Sequence, residues 1–394
     1  MSTNTLTAPT AQAPNPAGAS PLRINGERLW QRLMTLAAIG ATPRGGVCRL
    51  ALTDLDRQGR ALFEGWAAQL GCTLRRDAIG NLFARREGSN PSRAAVATGS
   101  HLDTQPTGGK FDGNYGVLAG LEVLHTLNDQ GIRTVAPLEV CVWTNEEGSR
   151  FVPVMMGSGV YAGAFSLSHA LAARDASGVS VAEALQAIGQ AGTAPAAVAD
   201  GAARFDAYFE AHIEQGPVLE DAGITIGVVS GALGQRWFDV TVQGQEAHAG
   251  PTPMPVRRDA LLPAAALIQR IHAIAVAEHP HGRGTVGEVR VHPNSRNVIP
   301  GQVKFTVARI RMHPHLAHRA PAVAEQVRPG IEITVTPVVE YTPTPFDESL
   351  RALVRDGAQQ LGLSHQALPS GAGHDAVYVA RTAPAAMIFV PCKD

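Results

Sequence analysis

Three short apolar runs in this chain each end on residues able to carry chemistry. Arg93–Ser100 (RAAVATGS) leads into His101 and Asp103, Pro137–Thr144 into Glu146 and Glu147, and Ala207–Ile213 carries His212. Runs this short, apolar throughout and rich in small or β-branched residues, fit strands covered on both faces. Between the first two, Gly113–Gln130 sets Val117, Leu118, Leu121, Leu124 and Leu127 at helical spacing, and Gly131 can cap it. Val181–Ile188 reads as a further helix. Strand, helix and strand in alternation predict an α/β catalytic domain with a mixed sheet and helices on both faces.

The pattern then changes. Ile224–Gly231 leads into Arg236–Gln243 (RWFDVTVQ), which alternates like a half-exposed strand. Arg257–Glu278 reads as a long helix, and Thr285–Val291 and Val303–Arg311 as strands. Phe346–Leu361 returns to helix and Ala385–Val390 to a buried strand. This predicts a discontinuous catalytic domain over 24–229 and 338–394. A smaller α+β domain over 230–337 interrupts it, and an extension without fold occupies 1–23. Arg309, Arg311, His313, His315, His318 and Arg319 crowd together in a way unusual for a packed domain.

Composition narrows the function. A formal net charge of −1 gives no basic surface for nucleic acid, and no apolar run has membrane-spanning length. Cys48, Cys72, Cys141 and Cys392 lack metal-type spacing and read as reduced thiols. With no basic start or apolar stretch at the N-terminus, a cytoplasmic protein is expected.

Glu146 and Glu147 lie side by side at the end of an apolar run, where two like charges repel and lose water. A divalent metal removes that objection: one glutamate ligates while its neighbour activates a metal-bound water. His101 is followed two residues on by Asp103, which is placed to hold the second ring nitrogen of that histidine. Asp112, between Gly108-Gly109 and Gly113, suits a helix N-cap, a metal-bridging carboxylate, or both. His212 is again at a strand end. His248 lies in a glycine-rich turn, Asn297 in Asn-Ser-Arg-Asn-Val-Ile-Pro-Gly, and His374 in a loop of small residues whose backbone N–H groups suit an anion or a carbonyl. Any one of these reads equally well as structural; their strand-end positions together carry the case.

These motifs resemble the dinuclear-metal amidohydrolases related to aminoacylases and carboxypeptidases. The nearest branch holds N-carbamoyl-L-amino-acid hydrolases, β-ureidopropionase and allantoate amidohydrolase. The resemblance rests on GSHLDTQPTGGKFDG at 99–113, TNEEGSRF at 144–151, HIEQGPVLE at 212–220, the His248–Met254 turn, RRDA at 257–260, NSRNVIPG at 294–301 and PSGAGHDA at 369–376. It implies two divalent metal ions, zinc foremost, with Mn, Co or Ni suited to the same ligands. His101 and Asp112 would hold the first, with Asp112 bridging, and Glu147 and His212 the second. Glu146 would be the general base. Gln215, Asn297, Gly373 and His374 would contact substrate, Arg311 would grip its carboxylate, and His248 would reach the oxyanion from a partner subunit. The inserted domain would act as a lid and a dimerisation unit.

The implied reaction is hydrolysis of an N-carbamoyl amino acid to amino acid, CO2 and ammonia. Alternatives are hydrolysis of allantoate or of a peptide, and a homologue that only binds its ligand. That last alternative stems from one departure. Members of the branch usually continue past a segment like Val390–Asp394 into a Gly-Ile-Ser-His stretch whose His ligates the first metal. On that basis the first metal position is expected to be the weaker, and the strand at 385–390 to fray.

Overall fold

In the computed structural model, residues 22–310 and 330–393 are described. Most of the expected N-terminal extension, and the segment from Arg311 through Arg319, lie outside them.

The chain opens with two helices, α1 (Gly26–Ala37) and α2 (Asp54–Gln69), and a hairpin of β1 (Thr73–Arg76) and β2 (Leu82–Arg86). Then come β3 (Ala95–His101), α3 (Asn114–Asp129), β4 (Leu138–Trp143), the short helices α4 (Met156–Tyr161), α5 (Leu167–Ala172) and α6 (Val181–Ala187), and β5 (Phe205–Ile213). A one-turn α7 (Val218–Ala222) precedes β6 (Ile226–Ala232). The middle of the chain holds β7 (Gln235–Gln243), β8 (Ala247–His248), α8 (Leu261–Ala277), β9 (Arg283–Thr285), β10 (Val289–His292), β11 (Val298–Ile299), β12 (Gln302–Ile310) and β13 (Glu332–Tyr341). It closes with β14 (Thr344–Pro345), α9 (Glu348–Gln360), β15 (His365–Ser370), α10 (Asp375–Val379) and β16 (Ala385–Val390).

Nine of these strands form one mixed sheet in the order β1-β2-β4-β3-β5-β16-β6-β14, with β15 also on β6. Its middle, β4-β3-β5-β16, is parallel, so four strands present their carboxyl ends at one edge. Ligand sites of open α/β sheets form beyond such an edge. The second sheet, β10-β12-β7-β13 with β9 on β12, is antiparallel and packs against α8. The molecule is therefore a mixed α/β catalytic unit with a smaller α+β unit, as the sequence pattern predicts.

The sheets change hands between Ala232 and Gln235 and again between Tyr341 and Thr344. The return lies beyond the expected Val338, because β13 continues through an irregularity at Pro337–Val339 and pairs Tyr341 with Gln235. The strand expected over 285–291 is two short strands on one flank of β12, and the expected long helix starts only at Leu261, after a 3-10 turn at Met254–Val256. β16 does not lie at an edge. It is parallel to β5 and antiparallel to β6, with Ala386 and Met387 fully buried, which corrects the expectation that it frays.

Helix α3 positions the site. Gly116 and Gly120 face the sheet, where a Cβ would collide with the Ala211 carbonyl and with Thr98. The helix therefore sits close on β3 and β5. Beneath the site, Trp143 packs edge-on against Phe83 and donates its indole N–H to Tyr208 Oη at 3.0 Å. This satisfies both polar tips inside an apolar layer.

Candidate active site

His101 ends β3, Glu146 and Glu147 follow β4, His212 nearly ends β5, and His374 directly precedes α10. The parallel strands thus deliver three separate sequence motifs to one place, and the loop after β15 brings His374 to it. Together with Asp112, Gln215 and Gly373 they line one cavity of about 160 Å³.

Asp112 stands at its centre. Its Oδ1 is 3.2 Å from His212 Nε2 and 3.8 Å from His101 Nε2, and its Oδ2 accepts the Gln215 side-chain N–H at 2.6 Å. Asp112 is not the helix N-cap. Gly113 takes that place with φ +64, and a Cβ there would overlap the His101 ring. A glycine is needed at Gly113 so that backbone, carboxylate and imidazole can meet.

The histidine tautomers follow from their partners. His101 Nδ1 faces the Asp103 carbonyl and His212 Nδ1 the Ile213 carbonyl, each at 2.9 Å. A carbonyl only accepts, so both Nδ1 atoms carry a proton. The Gly113 N–H donates to His212 Nε2 at 3.2 Å, so that nitrogen presents its lone pair. In the neutral rings both Nε2 lone pairs then face the Asp112 carboxylate, an arrangement of acceptors that only a shared cation or a proton reconciles.

His101, Asp112 and His212 bring one ligand atom each within 4.8 Å of one another. Glu147 stands beside them. Its Oε2 accepts from Gln105 at 3.0 Å, while its buried Oε1 has no partner among the described residues. This donor set, two imidazoles and carboxylates with an orphaned oxygen, fits divalent metal binding.

The electrostatics agree. Burial drives the Glu146 carboxyl far above its ordinary range, reinforced by the charges of Asp375, Glu147, Asp103 and Asp112. Burial pushes Glu147 up to about 7 against the pull of His101. Burial would raise Asp112 too, but its close contact with His212 and the charge that His212 and His101 carry when protonated hold it well below the usual carboxylate range. Both metal-facing histidines are raised despite their burial, His101 mainly by Asp103 and Glu147 and His212 by Asp112. His374, buried and beside His212, is driven the other way and stays neutral. Its Nε2 lies 3.0 Å from Ser370 Oγ. A site with so many carboxylates pushed upward is built for a cation that is part of it.

Several predicted residues sit elsewhere. The Asp103 carboxylate does not hold His101; its nearer oxygen is 3.9 Å from Nδ1, and the Asp103 main-chain carbonyl makes that contact instead. The carboxylate accepts the backbone N–H groups of Glu146 and Glu147, both at 3.2 Å. His248 and Asn297 do not line the cavity. They are exposed on the smaller unit, with Asn297 Nδ2 and His248 Nε2 3.2 Å apart. Arg311 lies outside the described residues. Conversely, Gln105, Met155, Gln235, Trp237 and Tyr341 line the cavity without having been anticipated. Gln105 lies within the 99–113 motif and Trp237 within the alternating run at 236–243, whereas Met155, Gln235 and Tyr341 had no sequence signal.

The model of peptidase family M20/M25/M40 matches residues 97–394, and the chain belongs to that family. An N-carbamoyl-L-amino-acid amidohydrolase of Rhizobium meliloti is 44% identical over 378 residues, covering 94% of this chain and 89% of the relative. An N-carbamoyl-L-amino acid amidohydrolase of Geobacillus stearothermophilus is 41% identical, covering 94% and 92%. Among solved structures, an amidase of the hydantoinase/carbamoylase family from Burkholderia vietnamiensis superposes with a TM-score of 0.90 at 51% identity, covering 95% of this chain and 92% of that one.

Proposed function

We propose that this member of the M20/M25/M40 family hydrolyses the carbamoyl C–N bond of N-carbamoyl-L-amino acids, giving amino acid, CO2 and ammonia. The observation that carries the reading is the position of Glu146. Its Oε2 is 3.4 Å from His101 Nε2, so a buried carboxylate of high proton affinity flanks the His101–Asp112–His212 cluster. Relatives at 41–44% identity are named for this substrate class, which supports the choice of amide.

His101, Asp112, His212 and Glu147 are the residues that would hold two divalent cations, zinc foremost. Bound there, such cations supply Lewis acidity to the ureido carbonyl and make water a nucleophile at neutral pH. Glu146 takes the proton from the attacking water and returns it to the leaving nitrogen. Gln215 orients Asp112 through its 2.6 Å hydrogen bond, and neutral His374, held through Nε2 at Ser370, presents its other ring nitrogen to the substrate. Gly373 lines the same cavity and would present its backbone to the substrate.

The smaller unit supports a second part of the proposal. His248 and Asn297 are paired, exposed and away from the cavity of their own chain. We assign them to the site of the second subunit of a homodimer, with the smaller unit as lid and dimerisation surface. No helix among the described residues is long and apolar enough to cross a membrane, which accords with a cytoplasmic enzyme.

The test is a panel assay of N-carbamoyl-L-α-amino acids, N-carbamoyl-β-alanine and allantoate with added Zn, Mn or Co. Metal-dependent turnover of one or more N-carbamoyl-L-amino acids is expected. Turnover of allantoate alone, or of none of them, would overturn the assignment.

A further inference from the structure

Tyr341 is the last residue of β13, opposite Gln235, at the point where the chain leaves the smaller sheet for the larger one. Its side chain is only 4% exposed and lines the same cavity as Glu146, His101 and His374. Its hydroxyl is fully buried and has no hydrogen-bond partner among the described residues. Buried hydroxyls are nearly always paired, so an unpaired one on a residue that lines a ligand cavity asks for an acceptor that arrives with the ligand.

The surroundings say which part of the ligand this is. A Cβ at Gly373 would collide with Tyr341 Oη and come within 3.0 Å of the Met155 methyl, so the absence of a side chain at Gly373 makes room for the hydroxyl. Met155 follows the Glu146 loop and donates its N–H to the Glu146 carbonyl at 2.7 Å. Burial, and after it the negative charge of Glu146, keeps the phenol protonated, so Oη is a donor at working pH. The hydroxyl, the Met155 side chain and the loop that carries Glu146 thus meet around Gly373.

We infer that Tyr341 is a catalytic residue that donates a hydrogen bond to the ureido oxygen as the ureido carbon becomes tetrahedral. The inference rests on the function proposed above. The oxygen of attacking water bonds to the ureido carbon, the C=O π pair moves onto the oxygen, and the Tyr341 hydroxyl donates to that oxygen without giving up its proton. The C–N bond then breaks as Glu146 returns its proton to the leaving nitrogen. A donor placed where negative charge develops acts on the transition state and little on the bound substrate.

The experiment compares wild type with Tyr341→Phe as the metal-loaded full chain. The variant removes a hydroxyl that pairs with nothing, so its Tm should be no lower and its metal content unchanged. On an N-carbamoyl-L-amino acid, kcat should fall about 10- to 10²-fold, below or at the low end of the range for losing one oxyanion donor because bound cations share the charge. KM and affinity for the product amino acid should change less than about twofold. A tetrahedral phosphinate analogue of the substrate should lose about as much affinity as kcat loses. An unchanged kcat and analogue affinity in an active wild type would overturn the inference alone. So would weakened KM and product binding at constant kcat, which would make Tyr341 a ground-state contact. A wild type that binds the analogue but turns over no carbamoyl substrate would overturn the proposed reaction alone, and one that does neither would overturn both.

Discussion

The side chain of Asp103 holds the backbone of Glu146, its Oδ1 accepting the Glu146 N–H at 3.2 Å while Oδ2 accepts that of Glu147 at the same distance. One buried carboxylate thereby fixes the two residues proposed as base and metal ligand, and its own main-chain carbonyl fixes the tautomer of His101. Asp103 touches neither substrate nor cavity; it is a positioning residue.

Asp103→Asn should therefore impair catalysis without abolishing the fold. The amide keeps the shape but turns one acceptor into a donor facing a backbone N–H. Outer-shell changes of this kind cost about 10–100-fold in activity or metal affinity. Both turnover and metal content should fall, and Asp103→Glu should not restore them, because the longer side chain cannot keep both 3.2 Å contacts. Wild-type turnover in Asp103→Asn would show that the loop holds its own shape.

Glu146 and Glu147 should separate in their effects. Glu146→Gln should retain metal and lose turnover by about 10²–10⁴-fold, the usual consequence of removing a general base. Glu147→Gln should lower metal content, since its orphaned Oε1 is the oxygen available to a cation. Elemental analysis after dialysis distinguishes them, and equal metal retention in the two variants would sink the division of roles.

Much of this site was legible in the chain because strand-end positions announce themselves. His101, Glu146, Glu147 and His212 each terminate an apolar run, and parallel strands must bring such ends together. Asp103 was misread for a geometric reason: in the His-x-Asp turn the backbone oxygen lies nearer the ring than the carboxylate does. Tyr341 was invisible because it belongs to a strand of the other sheet, and only tertiary packing carries its hydroxyl to Gly373. The break between β9 and β10 was missed because Thr285–Val291 reads as one extended run, whereas the two pieces pair with opposite ends of β12.

Stability should depend on pH through Glu122, far from the metal-facing groups. This carboxylate on α3 accepts from the Asn25 backbone at 3.0 Å, from Arg28 Nε at 2.8 Å and from Thr126 Oγ1 at 3.2 Å, tying α1 to α3. Burial would raise it, but these donors hold it below its ordinary value. A depressed carboxylate contributes its stability above the unfolded pKa, about 4.3 for Glu, and loses it as pH falls through the folded value. Glu122→Gln should cost about 1–3 kcal/mol at neutral pH, and the difference from wild type should shrink below about pH 4. Urea melts of the metal-free proteins across pH 3–7 measure it; a constant difference throughout would mean that packing, not charge, is lost.

The pairing of His248 with Asn297 leads to the last expectation. His248 Nδ1 accepts the Gly250 N–H at 3.1 Å, so in the neutral ring Nε2 carries the proton and faces Asn297 at 3.2 Å. Asn297 then meets it best through its carbonyl oxygen, the amide being free to turn. This leaves one exposed, preoriented donor pair with no role in its own chain's cavity. If the second subunit's site uses it, His248→Ala and Glu146→Gln should each be nearly inactive, yet their mixture should recover activity. In a mixed dimer one site lacks both groups and the other has both, so random exchange of equal amounts yields up to about one quarter of wild-type activity. Mass spectrometry of differently tagged chains establishes exchange. Exchanged dimers without recovered turnover would place the function of His248 within its own subunit.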